Sequence, residues 1–219
     1  MIPVIFDLDG TLIDSAPDIH RIANAVLAGE GLAQISFAQA RSFIGNGVAA
    51  FLTQALEALG QTEDTARLAR MIADFEALYE RSHDLTRLYP GAAQALADLA
   101  RAGHPLGLCT NKPEAPTHAA LAHFGLSTTF STVVGGDSLS TRKPDPAPLL
   151  HAAAALGGGP VLYVGDSEVD AETAARAGVP MLLFTGGYRK AEPADIPHGA
   201  LFDHHDALPA LVARLASSA

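Results

Sequence analysis

With 219 residues, 48% of them hydrophobic and 17% charged, the chain can hold one substantial core plus a smaller unit, and it is too apolar to be disordered. A net charge of −10 argues against nucleic acid as a partner, because binding to a phosphate backbone rests on lysine and arginine. There is no run of about 18 apolar residues to cross a membrane, and the lone Cys109 cannot close an internal disulfide and suits a reducing cytoplasm.

The first predicted element is a buried strand, Val4-Ile5-Phe6, and it doubles as the apolar opening of the chain, so no targeting segment is read there. It ends in Asp7-Leu8-Asp9-Gly10-Thr11-Leu12. Two carboxylates leaving a core repel, and a hard divalent cation with oxygen ligands, magnesium (Mg²⁺) first, meets the need for a positive neighbour. The same Asp-x-Asp-Gly also fits a turn or a calcium loop.

From Ser15 to about Ser82 strand patterning stops and helical spacing takes over, as in Leu68, Ile72, Phe75 and Tyr79. Ser15 reads as a helix cap with Pro17 in the first turn. Gly29 and Gly31, then Gly45-Asn46-Gly47, divide the stretch into several helices. Residues 15–83 are therefore expected to form a helical cap inserted after the first strand, with a return linker over residues 83–90 and a turn at Tyr89-Pro90-Gly91. The core is expected over residues 1–14 and 84–219. There, helices alternate with short strands near 105–109, 132–134, 160–164 and 180–184, which predicts an α/β fold: a doubly wound, Rossmann-like parallel sheet. The Ala- and Gly-rich patch over residues 152–159 reads as a helix and its exit.

Three later segments strengthen a chemical reading of the first strand end. Leu106-Gly107-Leu108-Cys109 closes on Thr110-Asn111-Lys112, Lys143 precedes Pro144, and Val161-Leu162-Tyr163-Val164 closes on Gly165-Asp166-Ser167 with Asp170 following. Singly, Thr110 could be a helix cap, Lys143 a solvated lysine, Asp166 with Ser167 a turn, and Asp170 a first-turn helix acid. Their ordered recurrence at strand ends, where open parallel sheets bind ligands, is harder to dismiss. Cys109, among apolar strand residues, reads as a packed core thiol.

These segments together resemble the four motifs of the haloacid dehalogenase superfamily of phosphatases: Asp7 to Leu12, Thr110-Asn111, Lys143-Pro144, and Gly165-Asp166-Ser167 with Asp170. Within it the chain is most similar to the bacterial phosphoglycolate phosphatases, on Asp14-Ser15-Ala16-Pro17, Ile44-Gly45-Asn46-Gly47, Thr110-Asn111-Lys112-Pro113 and Gly135-Gly136-Asp137. The resemblance implies a Mg²⁺-dependent phosphatase of carbohydrate metabolism, cytoplasmic, monomeric or homodimeric, that hydrolyses a small phosphate monoester through a phosphoaspartate. It implies Asp7 as nucleophile and Asp9 as general acid and base. Thr110, Asn111 and Lys143 would bind the phosphoryl group. The metal would be held by Asp7, the Asp9 carbonyl and Asp166, with Asp170 as a support behind it.

Substrate choice is expected to lie in the cap. Gly45-Asn46-Gly47 could offer backbone donors to a small anionic leaving group such as glycolate, or could be an ordinary helix–helix turn. Lys112 and Arg41 could pair with a substrate carboxylate, though both read first as solvated surface residues. His204-His205, between Asp203 and Asp206, reads as a surface-loop pair rather than a metal site. Rival readings are a phosphatase or phosphotransferase for pyrophosphate, a sugar phosphate or another small ester, a dehalogenase, and a phospho-acceptor signalling domain. The last is shorter, without an inserted cap or a second acid like Asp9.

Overall fold

A computed structural model describes residues 1–62 and 64–216. In chain order the elements are β1 (Val4–Phe6), β2 (Ile13–Asp14), α1 (Ala16–Gly29), α2 (Phe37–Phe43), α3 (Gly47–Ala58), α4 (Thr65–Tyr79) and β3 (Arg87–Leu88). There follow α5 (Ala92–Arg101), β4 (Leu106–Cys109), α6 (Glu114–His123), β5 (Thr132–Val134), α7 (Ala147–Ala155), β6 (Leu162–Gly165), α8 (Glu168–Ala177), β7 (Met181–Phe184), β8 (Ala200–Phe202) and α9 (Leu208–Ala216).

Six strands form one sheet in the order β5-β4-β1-β6-β7-β8, and every pair is parallel. Apolar side chains alternate between its two faces with the period of two that a pleated strand imposes. Val4, Phe6, Leu106, Leu108, Leu162, Val164, Leu182 and Phe184 enter one core with residues of α5, α6 and α9. Ile5, Cys109, Tyr163, Met181 and Leu183 enter a second core against α7 and α8. Covered on both faces, the strands read as near-continuous apolar runs. The expected doubly wound parallel sheet is the observed one, with β8 as an additional edge strand. Ala200-Leu201-Phe202 is too short, and too closely flanked by polar residues, to announce itself.

Between β2 and β3 the chain makes α1 to α4, whose apolar faces close on each other around a separate cluster that includes Ile19, Leu27, Leu52, Met71 and Phe75. The exit and return of this helical unit are joined as a short antiparallel ribbon, Ile13 beside Leu88 and Asp14 beside Arg87. Buried Asp18 fastens the same junction. Its carboxylate accepts from the Leu85 and Thr86 N–H groups (3.0 and 2.7 Å), the Thr86 hydroxyl (2.7 Å) and Arg21 (2.6 Å). β1 lies near the centre of the sheet, so its carboxyl end opens beneath the helical unit.

Candidate active site

Asp7 follows β1 directly, its N–H donating to the Val164 carbonyl at 2.8 Å. The chain then turns tightly, with the Thr11 and Leu12 N–H groups directed to the Leu8 carbonyl. Gly10 takes φ +88°, and a Cβ there would stand 2.5 Å from Asp166 Oδ2, so glycine serves both the turn and the close approach. Asp7, Asp9, Thr110, Asn111, Lys143, Asp166 and Gly45 all line one cavity, roofed by Ile19, Val48, Phe51, Phe75 and Tyr79 of the helical unit. Asn46 is not among its lining residues. Asp170 lies behind Lys143 rather than in the lining.

Lys143 organises the floor. Its ammonium lies 2.9 Å from Asp7 Oδ1 and donates to Asp170 Oδ1 (2.7 Å) and the Tyr163 hydroxyl (2.9 Å). Burial works against that charge, but Asp170 and Asp7 outweigh it and hold the lysine above its ordinary pKa. Asp170 is surrounded by donors: Lys143 and Tyr163 on Oδ1, and the Asp166 N–H, Ser167 N–H and Ser167 hydroxyl on Oδ2. Burial alone would raise its pKa, yet Lys143 and these donors bring it below the usual carboxylate range. Asp170 also completes a capping box with Ser167 at the start of α8, so it is a first-turn helix acid as well as a neighbour of Lys143. Asp7 is less well served. Burial lifts its pKa to about 6 against the pull of Lys143.

The donor set fits a divalent cation. Asp7, Asp166 and Asp170 each offer a carboxylate oxygen, all within 4.8 Å of one another. Three carboxylates against the single ammonium of Lys143 leave two negative charges uncompensated in a buried site. Burial, reinforced by Asp170 and Asp7, pushes Asp166 well above its ordinary pKa, and a cation among these oxygens would reverse that. Asp7 Oδ1 is buried with an ion pair but no hydrogen bond. Asp166 is aimed by the Thr11 hydroxyl (2.9 Å) and the Tyr188 N–H (2.5 Å), and a Cβ on Gly187 would collide with it.

Asp9 sits at the other side of the cavity, held at Oδ1 by the Ser15 hydroxyl (2.6 Å) and at Oδ2 by the Tyr79 hydroxyl (3.0 Å). Burial and the nearby Asp9 charge keep the Tyr79 phenol protonated and hence a donor. Ser15 stands at the start of α1 but makes no capping hydrogen bond; its hydroxyl serves Asp9 instead. Lys112, expected at the surface, is buried in the lining. Its ammonium lies 3.4 Å from Asp9 Oδ1 and 3.3 Å from the centre of the Tyr79 ring. The tight turn after β4, which seats Thr110 and Asn111 at the strand end, carries the next residue inward too.

Thr110 is buried, its hydroxyl accepting from the Lys112 N–H at 3.3 Å. The Asn111 amide donates to the carbonyls of Gly45 and Lys143, both at 2.9 Å. Both amide hydrogens are thus spent on bridging the α2–α3 loop to the Lys143 segment, and Gly45 contributes an acceptor to that bridge. Arg41 is exposed, as expected, but its guanidinium donates to the Gly187 carbonyl at 2.5 Å beside the Tyr188 ring. His205 is not a surface residue. It is buried against Tyr89, Phe184 and Phe202, with Nε2 2.8 Å from the Thr11 carbonyl. Aromatic neighbours stabilise it there, while His204 is exposed with Nδ1 3.2 Å from Asp206 Oδ2. Cys109 is the packed thiol expected, pushed up to about 12 by burial.

Thr11 and Ser15 lie inside the motifs, though those give them no role at the site, while Tyr79, Tyr163 and Tyr188 lie outside them. Tyr188 accepts from the Ser15 and Ala16 N–H groups and donates to Asp14 (2.8 Å), while Tyr79 and Tyr163 occupy positions whose spacing speaks only of a core. A hydroxyl at a buried position that needs a partner was the one available signal.

A family model for haloacid dehalogenase-like hydrolases matches residues 4–184. A phosphoglycolate phosphatase of Cereibacter sphaeroides is 51% identical over 213 residues, covering 97% of this chain and 98% of that protein. One of Rhodobacter capsulatus is 44% identical, covering 95% of each chain. Among solved structures, a predicted phosphoglycolate phosphatase from Haemophilus somnus superposes with a TM-score of 0.89 at 30% identity, over 96% of this chain and 97% of that one. The chain belongs to the haloacid dehalogenase-like hydrolase family.

Proposed function

We propose that this haloacid dehalogenase-like hydrolase is a Mg²⁺-dependent phosphatase of the cytoplasm that hydrolyses a small phosphate monoester, 2-phosphoglycolate before others, through an aspartyl-phosphate. The observation that carries the reading is the pairing of two unlike carboxylates at one strand end. Asp7 is buried 2.9 Å from Lys143, and Asp9 is held by Ser15 and Tyr79 across the same cavity. The names of relatives at about 50% identity support the substrate.

In this mechanism an Asp7 oxygen attacks phosphorus, the bond from phosphorus to the ester oxygen breaks, and Asp9 delivers its proton to the departing oxygen. Asp9, now ionised, takes a proton from the water that attacks the phosphoaspartate, releasing phosphate and restoring the Asp7 carboxylate. Mg²⁺ bound by Asp7 and Asp166, with the Asp9 carbonyl, would supply charge neutralisation between two anions that must meet. Lys143 offers the phosphoryl oxygens a fixed cation, and Thr110 and the backbone after β4 offer donors. Asp170 keeps Lys143 charged and aimed. Helices α1 to α4 act as a cap over residues 15–83, excluding water from the site. No helix among the described residues is long and apolar enough to cross a membrane.

The test is a panel of 2-phosphoglycolate, pyrophosphate, hexose phosphates and simple alkyl phosphates, each with and without Mg²⁺, ranked by kcat/KM. The reading expects Mg²⁺-dependent hydrolysis with 2-phosphoglycolate first. A lead for pyrophosphate or a sugar phosphate would keep the phosphatase and replace its substrate, and inactivity on every ester would overturn both.

A further inference from the structure

The cavity contains two cations, Lys112 and Lys143, and their surroundings differ sharply. Lys143 has three oxygen neighbours within 3 Å, two of them accepting hydrogen bonds and the third the Asp7 carboxylate, all belonging to the phosphoryl floor. Lys112 is equally buried, with 1% of its side chain exposed, but among the described residues its one carboxylate neighbour within 4 Å is Asp9, at a loose 3.4 Å. Its other close neighbour is the face of Tyr79, which attracts a cation but takes up little of its hydrogen-bonding capacity. A buried ammonium with donors to spare is costly to maintain and gains strongly from an anion brought to it.

An anionic group on the leaving alcohol would take up the ammonium hydrogens that Asp9 and the Tyr79 ring leave unused. In a 2-phospho hydroxy acid the carboxylate carbon is two bonds from the ester oxygen, roughly 2.5 Å away at ordinary bond lengths. Placing that oxygen at Asp9 therefore brings the carboxylate within reach of the lysine beside it. The rest of the roof is apolar, Ile19, Val48, Phe51 and Phe75, and would leave the hydroxyls of a bulkier polyol without partners.

We propose that Lys112 is the specificity-determining residue of this site, its ammonium binding the carboxylate of a small phosphorylated hydroxy acid while the Tyr79 ring holds it over Asp9. This rests on the phosphatase reading above and adds the residue that selects the leaving group. It also joins the two parts of the fold, because Lys112 follows β4 while Tyr79 ends α4. The carboxylate is recognised only where the helical unit is seated on the sheet.

The experiment compares kcat/KM for 2-phosphoglycolate with that for ethyl phosphate, which lacks the carboxylate, in the wild type, Lys112→Met and Lys112→Arg. The wild type is expected to favour 2-phosphoglycolate, and the ratio to fall at least about tenfold in Lys112→Met, with part of it kept in Lys112→Arg. A wild-type ratio near one, or one unchanged in Lys112→Met, overturns the assignment and leaves the phosphatase standing. Hydrolysis of neither ester by the wild type overturns the phosphatase reading itself. Should Lys112→Met fail to fold, inhibition of the wild type decides: 3-phosphonopropionate should bind at least about tenfold tighter than propylphosphonate, and equal binding sinks the proposal.

Discussion

Asp7 and Asp170 are buried against the same lysine, yet their pKa values move in opposite directions. Asp170 receives five hydrogen bonds and ionises more readily than a free carboxylate, whereas at Asp7 burial outweighs the pull of Lys143 and lifts its acid to about 6. A carboxylate left short of partners is a poor structural anchor and a good nucleophile, since little must be given up when it attacks. Asp7→Asn should therefore keep the fold, with circular dichroism and melting close to wild type, and lose more than about a thousandfold in kcat. Wild-type turnover by a folded variant that has not deamidated would remove Asp7 from the mechanism. Asp7, Asp9 and Asp166 were readable because each stands just past an apolar run, Lys143 because it precedes Pro144, and Asp170 because it follows Asp166 closely. The role of Lys112 was not. Whether a lysine after a strand faces solvent or a cavity depends on a single turn, and sequence does not carry that turn's direction.

At the scale of elements, the junction between the helical unit and the sheet depends on Asp18. Burial alone would raise its pKa, but hydrogen bonds from Thr86, Arg21 and Leu85 bring it below the ordinary value. A carboxylate depressed in the folded state adds stability above its unfolded pKa, about 4, and that stability is lost as pH falls through the lower folded value. Asp18→Asn should cost about 2 kcal/mol at neutral pH, roughly 4–8 °C in Tm for a chain of this size. The gap in Tm between wild type and variant should hold down to about pH 5 and close below about pH 4; a gap undiminished at pH 3 would show that the charge is not what fastens the junction. Spacing had located α4 well, because Leu68, Ile72, Phe75 and Tyr79 repeat at helical intervals over several turns. It passed over β2, β3 and β8, which are two or three residues long and owe their strand geometry to partners far away in the chain.

For the whole molecule, stability and metal should be linked, because the acids brought together from β1, β6 and α8 repel one another until a cation joins them. Mg²⁺ at a hundred times its Kd should stabilise the protein by about 2.7 kcal/mol, roughly 5–10 °C in Tm. Chelator should abolish activity and Mg²⁺ restore it. Asp166→Ala should weaken both the thermal shift and the restoration more than Asp170→Ala, whose carboxylate is already saturated by protein donors. The reverse order would exchange the two acids' roles, and full activity in excess chelator would remove the metal from the mechanism. The sequence by itself determined the alternating α/β order, the helical insertion and the acids at the strand ends, because burial on both faces of a parallel sheet writes continuous apolar runs with polar ends. Only the tertiary structure decided that His205 is core, that the Ser15 hydroxyl and Tyr79 hold Asp9, that Asn111 is a bridge, and that Lys112 points into the cavity. Apart from Ser15, which is six positions from Asp9, these depend on contacts between residues distant in the chain, such as the 103 positions separating Lys112 from Asp9, and no local pattern encodes a contact at that range.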